Sequence, residues 1–142
     1  MPSSYANLNV HVIFTTKQRN PILTETILPR IHDYLGGTIR GLGANPIRIG
    51  GVEDHVHLLF GLKAHHSVSK IVQEVKKSST IWLKKEIPSF GWQGGFGAFS
   101  VSQERIKGVI RYIDNQKEHH KQMTFEEERK MLFRLAGIEF EE

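Results

Sequence analysis

GGVEDHVHLLFGL, residues 50–62, alternates as a strand with two unlike faces. Successive side chains of a strand point to opposite sides. Val52, Val56, Leu58 and Phe60 therefore share an apolar face, and Glu53, His55, His57 and Leu59 share the other. Two imidazoles on next-but-one positions project the same way, a separation suited to one metal ion or one phosphate. A histidine pair of this kind needs a third group before it reads as a ligand set.

The neighbouring segments set that strand in a fold. LNVHVIFTT, residues 8–16, alternates cleanly, and NPIRIGGVE, residues 45–53, pairs with the histidine strand as a hairpin. Ile31, Leu35, Ile39 and Leu42 recur at helical spacing, with Gly41 and Gly43 as the stop. A second helix runs from Ser67 to the Pro88 break, and a short strand follows near Ala98–Val101. A third helix is expected from Gln103 to His120, capped by Ser100 with Gln103 or by Ser102 with Glu104. Thr124 and Glu127 form a capping box for a last helix that Gly137 ends. The order β-α-β-β-α-β with appended helices predicts an α+β, ferredoxin-like antiparallel sheet with helices on one face and a C-terminal tyrosine-bearing helix. The other face is left open unless something covers it.

The third helix supplies partners for the histidines. Ile106, Val109, Ile110 and Ile113 form its apolar stripe. Arg105, Tyr112, Gln116 and His119 group on one flank, with Tyr112 and Gln116 one turn apart. A tyrosine with a pKa near ~10 is a weak nucleophile unless its target is strongly electrophilic. A metal-bound phosphodiester is such a target.

Composition bounds the alternatives. The chain has 142 residues, 39% hydrophobic and 24% charged, which predicts one domain over 1–142 with a proper core. Formal charge is +4 and pI about 9.4, with lysines gathered at 70–85 and Glu126, Glu127, Glu128, Glu139, Glu141 and Glu142 near the end. That asymmetry leans toward a phosphate-bearing ligand. There is no cysteine, no apolar run of the ~20 residues a membrane span needs, and no signal-peptide pattern in MPSSYANLNV. A cytoplasmic protein is expected.

HVIFTTKQRNPIL, GGVEDHVHLLFGL, SVSKIVQEVKKSS, GWQGGFGAFSVS and RYIDNQKEHHK stand in the order found in the small single-tyrosine HUH transposases of bacterial insertion sequences, which the chain resembles along almost its whole length. The resemblance implies Tyr112 as nucleophile and His55 and His57 as metal pair, with Gln116 completing the metal site. It also implies Mg2+ or Mn2+, single-stranded DNA with hairpins at element ends, and a 5′-phosphotyrosine intermediate. A homodimer is implied too, in which the tyrosine helix of one subunit can serve the histidines of the other. Ligand softness alone would favour zinc, nickel or manganese for two imidazoles and an amide.

Arg105, Lys76 and Lys77 are candidate phosphate contacts, Glu53 and His119 candidate supports of the site, and His11 a neighbour with a structural role. His65, His66 and His120 read as exposed, and Trp92 and Phe96 as packing or base-stacking surfaces. A histidine-triad hydrolase would need a third histidine where Leu59 stands, and a sheet that binds RNA would show aromatics where the histidines are. A host-retained relative that binds or processes chromosomal repeat hairpins would carry the same chemical residues.

Overall fold

The computed structural model describes residues 5–136. Its sheet has four strands in the order β2-β3-β1-β4, all neighbours antiparallel. They are β1 (Leu8–Thr15), β2 (Asn45–Val52), β3 (His55–Leu62) and β4 (Gly97–Val101). β2 and β3 form the expected hairpin, with a bulge between Pro46 and Arg48. Helices α1 (Leu28–Gly41) and α2 (Val68–Leu83) cover one face of the sheet. Val12, Phe14, Val56, Leu58 and Phe60 meet Ile31, Leu35, Ile39, Ile71, Val72 and Val75 there in one apolar core. Ser67 caps α2 by accepting from the Lys70 amide at 3.2 Å, and Gly43 closes α1 at φ 87°, where a side chain would strain the backbone.

The second face is covered as well. A 3-10 turn, Gln103–Arg105, leads into α3 (Ile106–Asp114), followed by α4 (Gln116–His119) and α5 (Phe125–Ala136). Leu59, Val101 and Ile113 are the buried centre of this smaller core, flanked by Ile106, Val109, Ile110 and Tyr112. The predicted stripe thus packs on the face that carries the histidines. α3 lies flush on β2 because Gly50 has no side chain: a Cβ there would stand 2.5 Å from Ile113 Cγ2.

Three local expectations are corrected. The helix expected over 103–120 is interrupted at Asn115, whose ψ of 16° leaves the helical region and turns the chain between α3 and α4. No side-chain bond caps its start, although Ser102 occupies the position. Glu53 lies in the β2–β3 turn, outside both strands, so strand alternation does not govern its direction. The capping box at α5 is formed, with Glu127 N donating to Thr124 Oγ1 at 3.2 Å and Thr124 N to Glu127 Oε1 at 3.4 Å. Gly137, Glu139, Glu141 and Glu142 lie outside the described residues.

Candidate active site

β3 delivers His55 and His57 to the face under α3–α5, and both rings have 0% exposure. The strand register places Ile13 of β1 opposite His57 and His11 opposite Leu59. His11 is thereby the diagonal neighbour of His57 on that face. Its Nε2 lies 2.8 Å from His57 Nδ1. His55 Nδ1 is held by Asp54 Oδ1 at 2.8 Å. Each imidazole is gripped at Nδ1, and both Nε2 atoms face inward.

What they face is a carboxylate from α5. Glu128, also at 0% exposure, puts Oε1 3.5 Å from His55 Nε2, 3.5 Å from His57 Nε2 and 3.3 Å from His120 Nε2. Its Oε2 accepts hydrogen bonds from the Tyr112 hydroxyl and, at 3.1 Å, from Gln116 Nε2. His119 Nε2 stands 3.3 Å from the same oxygen. Gln116 Oε1 in turn lies 3.1 Å from both His55 Nε2 and His120 Nε2. The four residues expected to form the site, His55, His57, Tyr112 and Gln116, come together within one chain.

The electrostatics follow from this packing. Burial lowers the His57 pKa to about 4 even with Glu128 beside it, and burial with His57 lowers that of His11 to about 3. Both rings are neutral at pH 7. For His55 burial also lowers, but the hydrogen bond to Asp54 and the facing Glu128 carboxylate outweigh it and raise the pKa to about 9. Burial pushes the Glu128 carboxyl up; the facing His55 and His57 imidazoles and the Tyr112 hydroxyl overcome that and hold it well below the carboxylate range. Asp54 also lies low, the bond from His55 and the Arg19 charge outweighing burial. Burial and the Glu128 carboxylate push the Tyr112 phenol far above its ordinary value.

The donor set fits a divalent ion. One ligand atom each from His55, His57 and Glu128 lie within 4.8 Å of one another. His57 Nε2 and Glu128 Oε1 are fully buried without a hydrogen-bond partner among the described residues. A buried polar atom left so is costly unless something else satisfies it. With His57 Nδ1 donating to His11 Nε2, the Nε2 lone pair of His57 is free to bind a metal.

The family model described as "Transposase IS200 like" matches residues 4–116. The chain belongs to the IS200-like transposases. Two solved structures share its fold. One is a Deinococcus radiodurans R1 protein described as a transposase, 22% identical, with TM-score 0.67 over 82% of this chain and 95% of that one. The other is a REP-associated tyrosine transposase bound to a REP hairpin, 15% identical, with TM-score 0.63 over 87% of this chain and 74% of that one. Among curated proteins none matches.

In this IS200-like transposase the family match ends at Gln116, so Glu128 lies beyond it. In the sequence Glu128 sits in an acidic run and reads as solvated. Its one signal is spacing: Phe125, Glu128 and Leu132 fall on one helical face, so a carboxylate interrupts an apolar stripe. Glu53 is exposed and Asp54 holds His55 in its place. Lys76 is tied to Gln93 O at 2.8 Å and Gly95 O at 2.6 Å, so it anchors the glycine-rich loop. Lys77 is exposed on α2, across the sheet from the site. Trp92 packs against Phe14 and Phe90 and donates to Ser79 Oγ at 2.9 Å, a core role. His66 is structural, bonded to the Lys63 amide and Leu42 carbonyl. His119 and His120 both border the cluster, each 3.3 Å from a Glu128 oxygen, His120 against the expectation that it is exposed. Among the described residues no helix is long and apolar enough to cross a membrane.

Proposed function

We propose that this transposase cuts and rejoins single-stranded DNA at hairpin-bearing element ends, with Tyr112 as nucleophile. The observation that carries the reading is the convergence of a strand histidine pair, a buried carboxylate and a tyrosine hydroxyl on one point. His55, His57 and Glu128 would hold the metal, with Gln116 Oε1 beside it. The carboxylate and amide oxygens shift the donor set toward harder ions, which supports Mn2+ or Mg2+ over a softer choice. Such an ion polarises the phosphoryl oxygen and neutralises developing charge.

The chain's own groups do the rest. Tyr112 Oη attacks phosphorus, its bond forms as the bond to the leaving 3′-oxygen breaks, and the products are a 5′-phosphotyrosine and a 3′-hydroxyl. Glu128 Oε2 already accepts the phenol's hydrogen bond and is the nearest acceptor for its proton. The 3′-oxygen takes a proton from the surroundings. Attack by another 3′-hydroxyl reverses the step and rejoins the strand. Hairpin DNA as substrate is supported by the family and by the structural neighbour bound to a REP hairpin. The tyrosine lies beside its own chain's histidines, with ring centroids of Tyr112 and His57 5.7 Å apart, so one subunit supplies a complete set whether or not the protein pairs as a homodimer.

The test is cleavage of a labelled hairpin oligonucleotide with Mn2+, with Mg2+ and with chelator, beside His57→Ala. Cleavage is expected with either ion, abolished by chelator and reduced at least 100-fold in the variant. Equal cleavage by His57→Ala overturns the assignment.

A further inference from the structure

Tyr112 forms part of the wall of a groove of about 690 Å³ on the side away from α1 and α2. The edge strand β4 contributes Phe99 and Ser100, α5 contributes Met131 and Leu132, and the approach to and body of α3 contribute Arg105, Lys107 and Arg111. His11 also lines it, whereas His55 and His57 do not. All three cations are exposed, and among the described residues no carboxylate lies in ion-pair range of any of them. By contrast Arg19, Arg30, Arg48 and Arg129 are paired with Asp54 and Glu126, Glu86, Asp114 and Glu126 respectively.

Resting on the function proposed above, we infer that this groove is the track for the single strand next to the scissile phosphate, held through its backbone by Arg105, Lys107 and Arg111. Charge, shape and position agree. Glu104 also lines the groove without pairing with any of the three, and three cations against one carboxylate favour a polyanion over a neutral or cationic partner. The six steps from Arg105 to Arg111 span about 9 Å along the helical turns. At about 3.4 Å per phosphate in a stacked strand, that is room for two to three phosphates. Phe99 offers an aromatic surface on the opposite wall, which suits a base whatever its identity. Tyr112 lines the groove, so a strand lying in it passes beside the nucleophile.

The experiment measures equilibrium binding to a single-stranded oligonucleotide against salt for wild type and for the triple variant Arg105→Ala, Lys107→Ala, Arg111→Ala. A charge-matched control carries Arg40→Ala, Lys84→Ala and Lys85→Ala, exposed positions on α1 and at the end of α2, over the opposite face of the sheet. Each backbone contact on a single strand contributes about 0.7 to the slope of log affinity on log salt. The groove variant is expected to lose about 2 from the slope, equally for unrelated sequences, and the control to match wild type. Neutral methylphosphonate linkages placed one at a time then locate the contact. Two or three consecutive positions on one side of the scissile bond should weaken wild type and leave the groove variant unaffected. Equal slopes in groove variant and wild type, with adduct formation intact, overturn the groove assignment alone. Failure of wild type to bind single strands at all overturns the reading beneath it.

Discussion

At the scale of single residues, the site is a set of oriented nitrogen and oxygen atoms, and the orienting groups are as informative as the ligands. Asp54 fixes His55 and His11 fixes His57, each through Nδ1. Asp54→Asn keeps the size but loses the charge that supports ring basicity. It is expected to weaken Mn2+ binding roughly 10–100-fold, as titration calorimetry would show; unchanged affinity would remove Asp54 from this role. The pH dependence has a definite sign. The metal-free His55 pKa is raised to about 9 from 6.5, so its interactions with Asp54 and Glu128 stabilise fully below pH 6.5, and that contribution is lost as pH rises through about 9. A metal must displace the His55 proton, so its affinity should rise over the same window. Melting temperature against pH should therefore fall toward pH 9 without metal, and the gain on adding Mn2+ should grow. Parallel curves with and without the ion would contradict this linkage.

At the scale of elements, strand periodicity carried much of what the sequence revealed and helix chemistry carried less. Period two placed His55 and His57 on one face correctly, because β3 is regular from His55 to Leu62. It failed at Glu53, where the turn ends the alternation. The stripe on α3 was legible; the interruption at Asn115 was not, since asparagine is only mildly unfavourable inside a helix. Glu128 was hidden by its neighbours, because Glu126 and Glu127 make the segment look solvated although only one face of the helix is. α3 depends on close approach to β2. Gly50→Ala would press a methyl into Ile113, and chemical denaturation should show a loss of ~1–3 kcal/mol. A fully stable Gly50→Ala protein would mean that α3 does not sit on β2 as described.

At the scale of the molecule, one sheet serves two purposes. One face packs α1 and α2 into the main core, and the other puts its imidazoles beneath three short helices. His55, His57 and Glu128 all have zero exposure, so their facing nitrogen and oxygen atoms meet out of contact with bulk water. Glu128→Ala removes both a proposed metal ligand and a contact between α5 and Tyr112. It should weaken Mn2+ binding at least tenfold and speed amide exchange along α5, read by calorimetry and by hydrogen–deuterium exchange. Unchanged exchange would show that Glu128 does not fasten the helix. The family could be read from the sequence because its motifs are local strings in a fixed order. The carboxylate could not, because it lies past the last of them.

If Tyr112 is the nucleophile, it becomes covalently joined to DNA. Wild type and Tyr112→Phe, each incubated with Mn2+ and a labelled hairpin oligonucleotide, would be denatured, digested and mapped by mass spectrometry. A nucleotide adduct is expected on the peptide containing Tyr112 in wild type alone. An adduct on another residue, or strand cleavage by Tyr112→Phe at the wild-type rate, would contradict the assignment.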